Sequence, residues 1–285
     1  MSITLHAFRS RQFIPAWAYK ILAQRWIDLK YPRHLFIETT ADCNLDCPYC
    51  PREKQHDQMD PRLFHQIVDE ASQYGPRSFS LHLFGEPLLY PHCSSAIRYI
   101  KAKNRRHTVL LTTNGCYLNG QAKELLKAGV DRIFWTWRPE AKIDEETLKL
   151  LKKSRKFLVR LIREITPKNE WDRWSKWPMV EKKLLHNYGG NIDLARFRTN
   201  GTPGLPERYP CYHLWLAPAV AWNGDILICC ADPHHRSKLG QFPDMTVHEA
   251  WIGEALQELR RGHLTKQYSS ICKQCDVWKT YPSMF

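Results

Sequence analysis

Short apolar runs recur along the first half of the chain, and each is followed by residues spaced like one face of a helix. HLFIETT (34–40), SFSLHL (78–83), HTVLLTTNG (107–115) and the run that starts near Asp131 have the length and the β-branched and aromatic content of strands. After the first run, Asp60 and Pro61 fit an N-cap and first helical position, and Leu63, Ile67 and Ala71 return at helical spacing. Alternating β and α elements predict a parallel sheet with helices on its faces. FLVRLIREIT (157–166) and NIDLARFR (191–198) are the candidates for strands five and six. The expected fold is therefore α/β, a partial (β/α)6 barrel over residues 34–200, with TNGTPGLPERYP (199–210) as the linker to a small C-terminal β-hairpin and helix domain over 201–285. In that domain, residues 213–230 read as a hairpin with Asn223-Gly224 as a type I′ turn before DILICC. A helix with Ala250, Trp251, Leu256 and Leu259 on its apolar face follows, and Gly262 is placed to end it in the left-handed conformation. Residues 1–33 mix Trp17, Ile21, Leu22, Trp26 and Leu29 with Lys20, Arg25 and Lys30. That pattern is an amphipathic helix, which docks on the protein's own barrel or on a membrane surface or partner.

Candidate chemistry lies at the ends of these runs. Cys43, Cys47 and Cys50 stand together in CNLDCPYC, in the connection between the first strand and its helix. In a TIM-like barrel, such connections form the face on which active sites are built. A four-iron cubane takes four ligands, so a trio of thiolates from one loop leaves one iron open to something that is not protein. A zinc site completed by a fourth ligand elsewhere is the alternative. A second set follows in the C-terminal domain: Cys211, then Cys229 five residues after Gly224, then Cys272 and Cys275 in CKQC. Four thiolates hold either a closed cluster or structural zinc. Cys230 competes with Cys229 for the second place in that set, and spacing from Gly224 favours Cys229.

These motifs carry a resemblance. CNLDCPYC, with aromatic Tyr49 before the last cysteine, resembles the cluster loop of the radical S-adenosylmethionine (SAM) enzymes. FGEPLL (84–89) resembles that family's GGEP motif, with Phe84 at the usual first glycine, and Thr113-Asn114-Gly115 resembles its strand-end TNG. The C-terminal cysteine order resembles the auxiliary-cluster extensions called SPASM and twitch. Lys279 takes the next expected cysteine place, which gives the shorter, twitch type. The resemblance implies two [4Fe-4S] clusters, one that binds SAM through Cys43, Cys47 and Cys50 and one auxiliary on Cys211, Cys229, Cys272 and Cys275. It implies that Tyr49, Gly85, Glu86, Pro87, Thr113 and Asn114 contact SAM, which the cluster cleaves reductively to a 5′-deoxyadenosyl radical that takes hydrogen from substrate. Arg138, just past the fourth strand, is a candidate for the SAM carboxylate or a substrate acid, since guanidinium pairs with carboxylate. Cys116, next to the TNG end, is a candidate hydrogen donor to a substrate radical. Trp135 and Trp137 flank Thr136 where many relatives carry serine and aspartate.

Charge and composition narrow the partners. With 42 basic and 29 acidic residues, the net charge is +13, which favours an acidic partner: a reduced flavodoxin or ferredoxin, an acidic peptide, a phosphorylated substrate or nucleic acid. The basic run Lys149, Lys152, Lys153, Arg155 and Lys156 reads as a solvated helix end. Trp171, Trp174 and Trp177 read as a helix face packed on the barrel. No nucleic-acid module is legible, and no uninterrupted apolar span long enough to cross a membrane exists. With no signal peptide, ten cysteines point to a reducing cytoplasm. The expected function is radical SAM modification of a ribosomally made peptide by crosslinking, epimerisation or excision. The alternatives are dehydrogenation or epimerisation of a small sugar or cyclitol, and, in another class, a non-catalytic iron-sulfur carrier or zinc-stabilised binding protein.

Overall fold

The computed structural model describes residues 30–197, 208 and 210–279. The amphipathic helix expected near the N-terminus and most of the linker lie outside the described residues. The described strands form one sheet in the order β6-β5-β4-β3-β2-β1-β7-β8-β9. Its first six members, β1 (His34–Ile37), β2 (Ser78–Ser80), β3 (Thr108–Thr113), β4 (Arg132–Thr136), β5 (Phe157–Ile162) and β6 (Val180–Lys183), run parallel in chain order. The crossovers carry α1 (Pro61–Gln73), α2 (Cys93–Lys103), α3 (Leu118–Ala128), α4 (Glu145–Ser154) and α5 (Lys168–Trp174). This is the partial barrel expected from the alternating pattern.

Local chemistry sets the helix ends. The Asp60 carboxylate accepts from the Arg62 amide at 2.6 Å with Pro61 opening α1, and Asp144 caps α4 through the Thr147 amide at 2.7 Å. Each helix buries one face, as with Phe64, Ile67, Val68 and Ala71 of α1 and Leu118, Ala122 and Leu125 of α3. Strand alternation does the rest. Leu35, Ile37, Phe79, Val109, Leu111, Ile133, Trp135, Val159 and Leu161 pack with the helices, whereas Phe36, Thr112, Thr136, Arg160, Ile162 and Lys183 face a cavity on the other side of the sheet. Trp174 meets Trp135 edge-on at 4.8 Å, and Trp171 and Trp177 pack beside it against the same core.

The sixth strand is not where the sequence puts it. Val180–Lys183 pairs with β5, with Ile162 opposite Lys183, while 191–198 contains a 3-10 turn, Leu194–Phe197, with no buried residue. VEKK is a half-exposed edge strand, and such strands lack the apolar run by which inner parallel strands are recognised.

The C-terminal region continues the barrel's own sheet. β7 (Ala219–Val220) pairs parallel with β1, Phe36 opposite Ala219, and β8 (Asp225–Leu227) and β9 (Lys238–Gln241) add antiparallel strands. Val220, Ile226, Phe242, Val247 and Ala250 join the barrel core, so that core extends past the boundary expected at residue 200. A second core of Phe36, Trp215, Leu227, Trp251 and Leu256 sits on the other face of β1. The hairpin loop is longer than the expected two-residue turn. The Ala221 amide donates to the Asp225 carbonyl and Gly224 to the Ala221 carbonyl, both at 2.9 Å, and at this turn only Gly224 is left-handed, at φ +89°. That is the three-residue loop with a glycine in the bulge position. The helix expected beyond it is two, α7 (Val247–Ile252) and α8 (Glu254–Leu264), after α6 (His213–Leu216) and before α9 (Ser270–Gln274). Gly262 lies inside α8. A side chain there would meet the Gln267 carbonyl at 2.4 Å, and Lys266 takes the left-handed conformation instead. No helix among the described residues is long and apolar enough to cross a membrane.

Candidate active site and auxiliary cysteine pocket

The β1–α1 connection is closed at its base by pairing of its two ends. Ala41 donates to the Asp57 carbonyl and Met59 to the Thr39 carbonyl, each at 2.9 Å, and the Thr40 hydroxyl adds a bond to Asp57 at 3.0 Å. Inside the loop, the Cys50 amide donates to the Cys47 carbonyl at 2.9 Å, and the Arg52 guanidinium reaches the Leu45 and Cys43 carbonyls at 2.9 and 3.3 Å. Cys43, Cys47 and Cys50 are thus held by the loop's own bonds, and all three line a cavity of about 260 Å³. Burial pushes the Cys43 and Cys50 thiols up, so they ionise only with a cation beside them, which a bound metal provides.

Across the cavity, the GEP and TNG segments are joined by one carboxyl group. Glu86 Oε1 accepts from the Thr113 hydroxyl at 2.6 Å and the Leu88 amide at 3.2 Å, while Oε2 accepts from the Asn114 amide at 2.7 Å. A carboxylate has about four acceptor sites; these bonds use three and leave one on Oε2. Burial raises the Glu86 pKa to about 7, against the lowering effect of the Asn114, Thr113 and Leu88 donors. Pro87 opens the short 3-10 turn Pro87–Leu89 that carries the Leu88 donor. Gly85 is fixed by close approach, because a Cβ there would sit 2.0 Å from the Thr40 carbonyl oxygen and 2.9 Å from that of Asp42. The Glu86 amide donates to the same Asp42 carbonyl at 2.7 Å. The cysteine loop and the GEP turn therefore position each other.

Asn114 reaches back to the loop, donating to Asn44 Oδ1 at 2.9 Å with its amide nitrogen 3.9 Å from Cys43 Sγ. Its carbonyl accepts from the buried Trp135 indole at 3.0 Å. Trp135, at the position that departs from the family pattern, is thus a support for the TNG end. Arg138 lies over the Tyr49 ring, 5.0 Å from its centroid, and donates to the Trp137 carbonyl at 2.7 Å. Its Nε is buried without a partner, and the Tyr49 hydroxyl lies beside Cys47.

Of the candidate residues, Tyr49, Gly85, Glu86, Thr113, Asn114 and Arg138 are brought to the cavity, with Pro87 just behind. Cys116 is not among the lining residues; its amide donates to Asn114 Oδ1 at 3.0 Å and it lies beside Asn44. Cys230, read only as a rival ligand, lines the cavity instead. Sequence reasoning also passed over His82, Arg160, Lys183, His186, Tyr188 and Tyr212, which line the same cavity. One signal was available for Arg160, a charge inside the apolar run FLVRLI. Lys183 was hidden with the sixth strand.

A second, smaller pocket in the C-terminal region is lined by Cys211, Cys229, Cys272 and Cys275 together with His213, Leu214, Ile228, Ile271, Val277 and Trp278. Adjacent cysteines are thereby separated, with Cys229 turned to this pocket and Cys230 to the large cavity. Burial raises the Cys229 thiol pKa, and the neighbouring Cys230 and Cys275 add to it. Among the described residues, no group of three or more His, Cys, Asp or Glu side chains is placed to hold one metal ion. The four cysteines line this one pocket, and four thiolates suit an iron-sulfur cluster or zinc.

Comparison with known proteins agrees with this geometry. The model of the Radical SAM superfamily matches residues 37–135, and that of an iron-sulfur cluster-binding (SPASM) domain matches residues 211–276. A GTP 3′,8-cyclase of Chlorobaculum tepidum is 35% identical over 34% of this chain, a match that spans 30% of that protein's length. An S-adenosyl-L-methionine-dependent 2-deoxy-scyllo-inosamine dehydrogenase of Niallia circulans is 22% identical over 84% of the chain and 91% of its own length. Among solved structures, BtrN in complex with AdoMet and 2-DOIA superimposes with a TM-score of 0.64 at 20% identity, covering 86% of this chain and 92% of that one. SuiB of Streptococcus suis bound to the precursor peptide SuiA gives 0.62 at 16% identity, with 92% and 74% covered.

Proposed function

The chain belongs to the radical SAM superfamily and carries an iron-sulfur cluster-binding extension, and from that premise we propose that it is an enzyme that takes a hydrogen atom from a substrate held in the large cavity. The observation that carries this reading is that one cavity is lined by Cys43, Cys47 and Cys50, by Glu86, Thr113 and Asn114, and by polar residues of β5 and β6. When bound, a [4Fe-4S] cluster on the three thiolates supplies an electron and an open iron to SAM, whose reductive cleavage provides the hydrogen-abstracting carbon radical. The chain's own contribution is position. Glu86 Oε2 keeps an acceptor site that would suit an ammonium group, Arg138 would offer its guanidinium to a carboxylate, and Tyr49 lines the cavity on the side of the cysteine loop.

The test is anaerobic incubation of the reconstituted protein with SAM and dithionite, which is expected to release 5′-deoxyadenosine. Intact clusters and bound SAM without that product would reject the reading.

The substrate would be a side chain of a ribosomally made peptide or a small sugar or cyclitol, and that second reading is favoured by the similarity to the cyclitol-amine dehydrogenase along most of both chains. The second pocket would hold an auxiliary cluster on Cys211, Cys229, Cys272 and Cys275, closed by four ligands and suited to accepting an electron. Cys229→Ala is expected to lower iron per chain by about four, whereas Cys230→Ala keeps it; iron lost from Cys230→Ala and kept in Cys229→Ala would reverse the assignment. A reduced flavodoxin or ferredoxin is the proposed donor, drawn by the basic surface. With all ten cysteines free of disulfides, we place the protein in a reducing cytoplasm. Cys116→Ala is expected to leave turnover and product stereochemistry unchanged, since its thiol lies off the cavity wall.

A further inference from the structure

Four cationic side chains line the large cavity, Arg52, Arg138, Arg160 and Lys183, against the single carboxyl of Glu86. Arg52 is bonded into the cysteine loop, Arg138 stacks on Tyr49, and Glu86 is spent on the TNG end. That leaves Arg160 and Lys183, on the wall farthest from the cysteines in the strand order, with no task in the reading above.

Their setting is that of a built site. Arg160 is only 6% exposed. Its Nε donates to Glu181 Oε2 at 2.6 Å and its guanidinium lies 4.8 Å from the centroid of the Phe134 ring, which fix its plane. Its Nη2 is buried without a partner. Lys183 Nζ stands 3.8 Å from the other oxygen of Glu181, so one carboxylate orients two cations. Glu181 itself is not among the cavity-lining residues. Further along the same wall, His186 has a buried Nδ1 without a partner. A buried guanidinium N–H without a partner is costly, and the Arg160 and Lys183 side chains both line the cavity.

We propose that the substrate of this enzyme is an anion, and that its carboxylate or phosphate group is seated on Arg160 and Lys183 at the β5–β6 wall. The inference rests on the function proposed above and names the class of molecule that the site takes. Guanidinium binds either group through paired N–H donors, and the ammonium adds a point charge beside it. The surroundings report the same field. Burial, and then Arg160, lower the Lys183 pKa to about 8, and burial followed by Lys183 and Arg160 holds His186 at about 3. His82 is also held neutral, by burial first and then by Arg160. Of the groups that face Lys183, which are Arg160, Glu181, Cys230, His82 and His186, only Glu181 and the high-pKa thiol Cys230 oppose the positive charge.

The experiment is calorimetric titration of the full-length, anaerobically reconstituted protein, with SAM present, by inorganic phosphate and separately by acetate. Saturable binding of at least one anion is expected, and which one binds tells a phosphorylated substrate from a carboxylic acid. Arg160→Gln and Lys183→Gln should each weaken that binding on the order of 10- to 100-fold. Glu181→Gln should strengthen it severalfold by removing the competing charge, an opposite sign that a folding defect does not produce. Binding to the wild type should weaken as pH rises through about 8, and Lys183→Arg should abolish that decline. SAM affinity should stay unchanged in all of them. The proposal is overturned if neither anion saturates, if the Gln variants bind the anion as the wild type does, or if they lose SAM and keep the anion. Because the readout is binding, a wild type that holds phosphate yet forms no 5′-deoxyadenosine would refute the reaction and not the anion site.

Discussion

Cys43→Ala, Cys47→Ala or Cys50→Ala is expected to reduce 5′-deoxyadenosine formation to the background of uncatalysed cleavage, a larger loss than the ~10- to 100-fold typical of changes around a metal site. The loop supplies all its ligands from a short stretch, and its backbone is already committed. Cys50 bonds to the Cys47 carbonyl, and Arg52 ties down Cys43 and Leu45, so no other residue of the loop swings in to replace a lost thiolate. The auxiliary pocket is lined by a separate cysteine set, so iron should fall to the content of one cluster and not to zero. Measuring iron, sulfide and 5′-deoxyadenosine on the same preparation checks the claim. A single-cysteine variant that keeps both clusters and wild-type product would mean that the open iron is not held here.

How far the sequence reached depends on how each element makes its living. Strands β1, β3, β4 and β5 were legible because they are largely buried and so read as apolar runs. β6 was not, since a half-exposed edge strand written VEKK carries no such run. The cysteine loop, Gly85 to Pro87 and Thr113-Asn114 were legible as contiguous motifs. The rest of the cavity lining was not, because His82, Arg160, Lys183 and His186 come from three separate stretches that only the parallel register aligns. The misreadings of Gly224 and Gly262 have different causes. Gly224 is left-handed as expected, but in a three-residue loop, and a Cβ there would also meet the Phe242 carbonyl from a separate stretch. Gly262 serves close approach of the Gln267 carbonyl five residues on, inside the helix end and not at its left-handed cap. Adjacent Cys229 and Cys230 were ambiguous for another reason: the chain at the end of the hairpin forms a wall between two pockets, and only the fold says which side chain faces which.

Glu86→Ala is expected to remove both SAM cleavage and a large part of the stability of this end of the barrel. The variant leaves the Thr113 hydroxyl and the Asn114 and Leu88 amides without their acceptor inside a buried site. With an unpaired buried donor costing about 1–3 kcal/mol and a cavity added, the loss should reach about 3–5 kcal/mol. Glu86→Gln is the informative comparison. Its amide keeps one acceptor and turns the other into a donor that faces the Asn114 or Thr113 hydrogen, a mismatch worth about 1–3 kcal/mol, and it also removes the acceptor proposed for the SAM ammonium. Its KM for SAM should therefore rise more than its kcat falls. The pH dependence has a definite sign. With the folded pKa raised from 4.5 to about 7, the native state holds a proton that the unfolded chain has released, so the Glu86 contribution to stability declines as pH rises between those values and is level above them. That decline is on the order of 3 kcal/mol. Urea midpoints measured anaerobically at about pH 6 and about pH 8 should thus converge between the wild type and Glu86→Gln as pH rises. A gap that widens instead would show that the carboxylate is stabilised by its donors more than burial penalises it, and that the ionised form is the one this fold is built around.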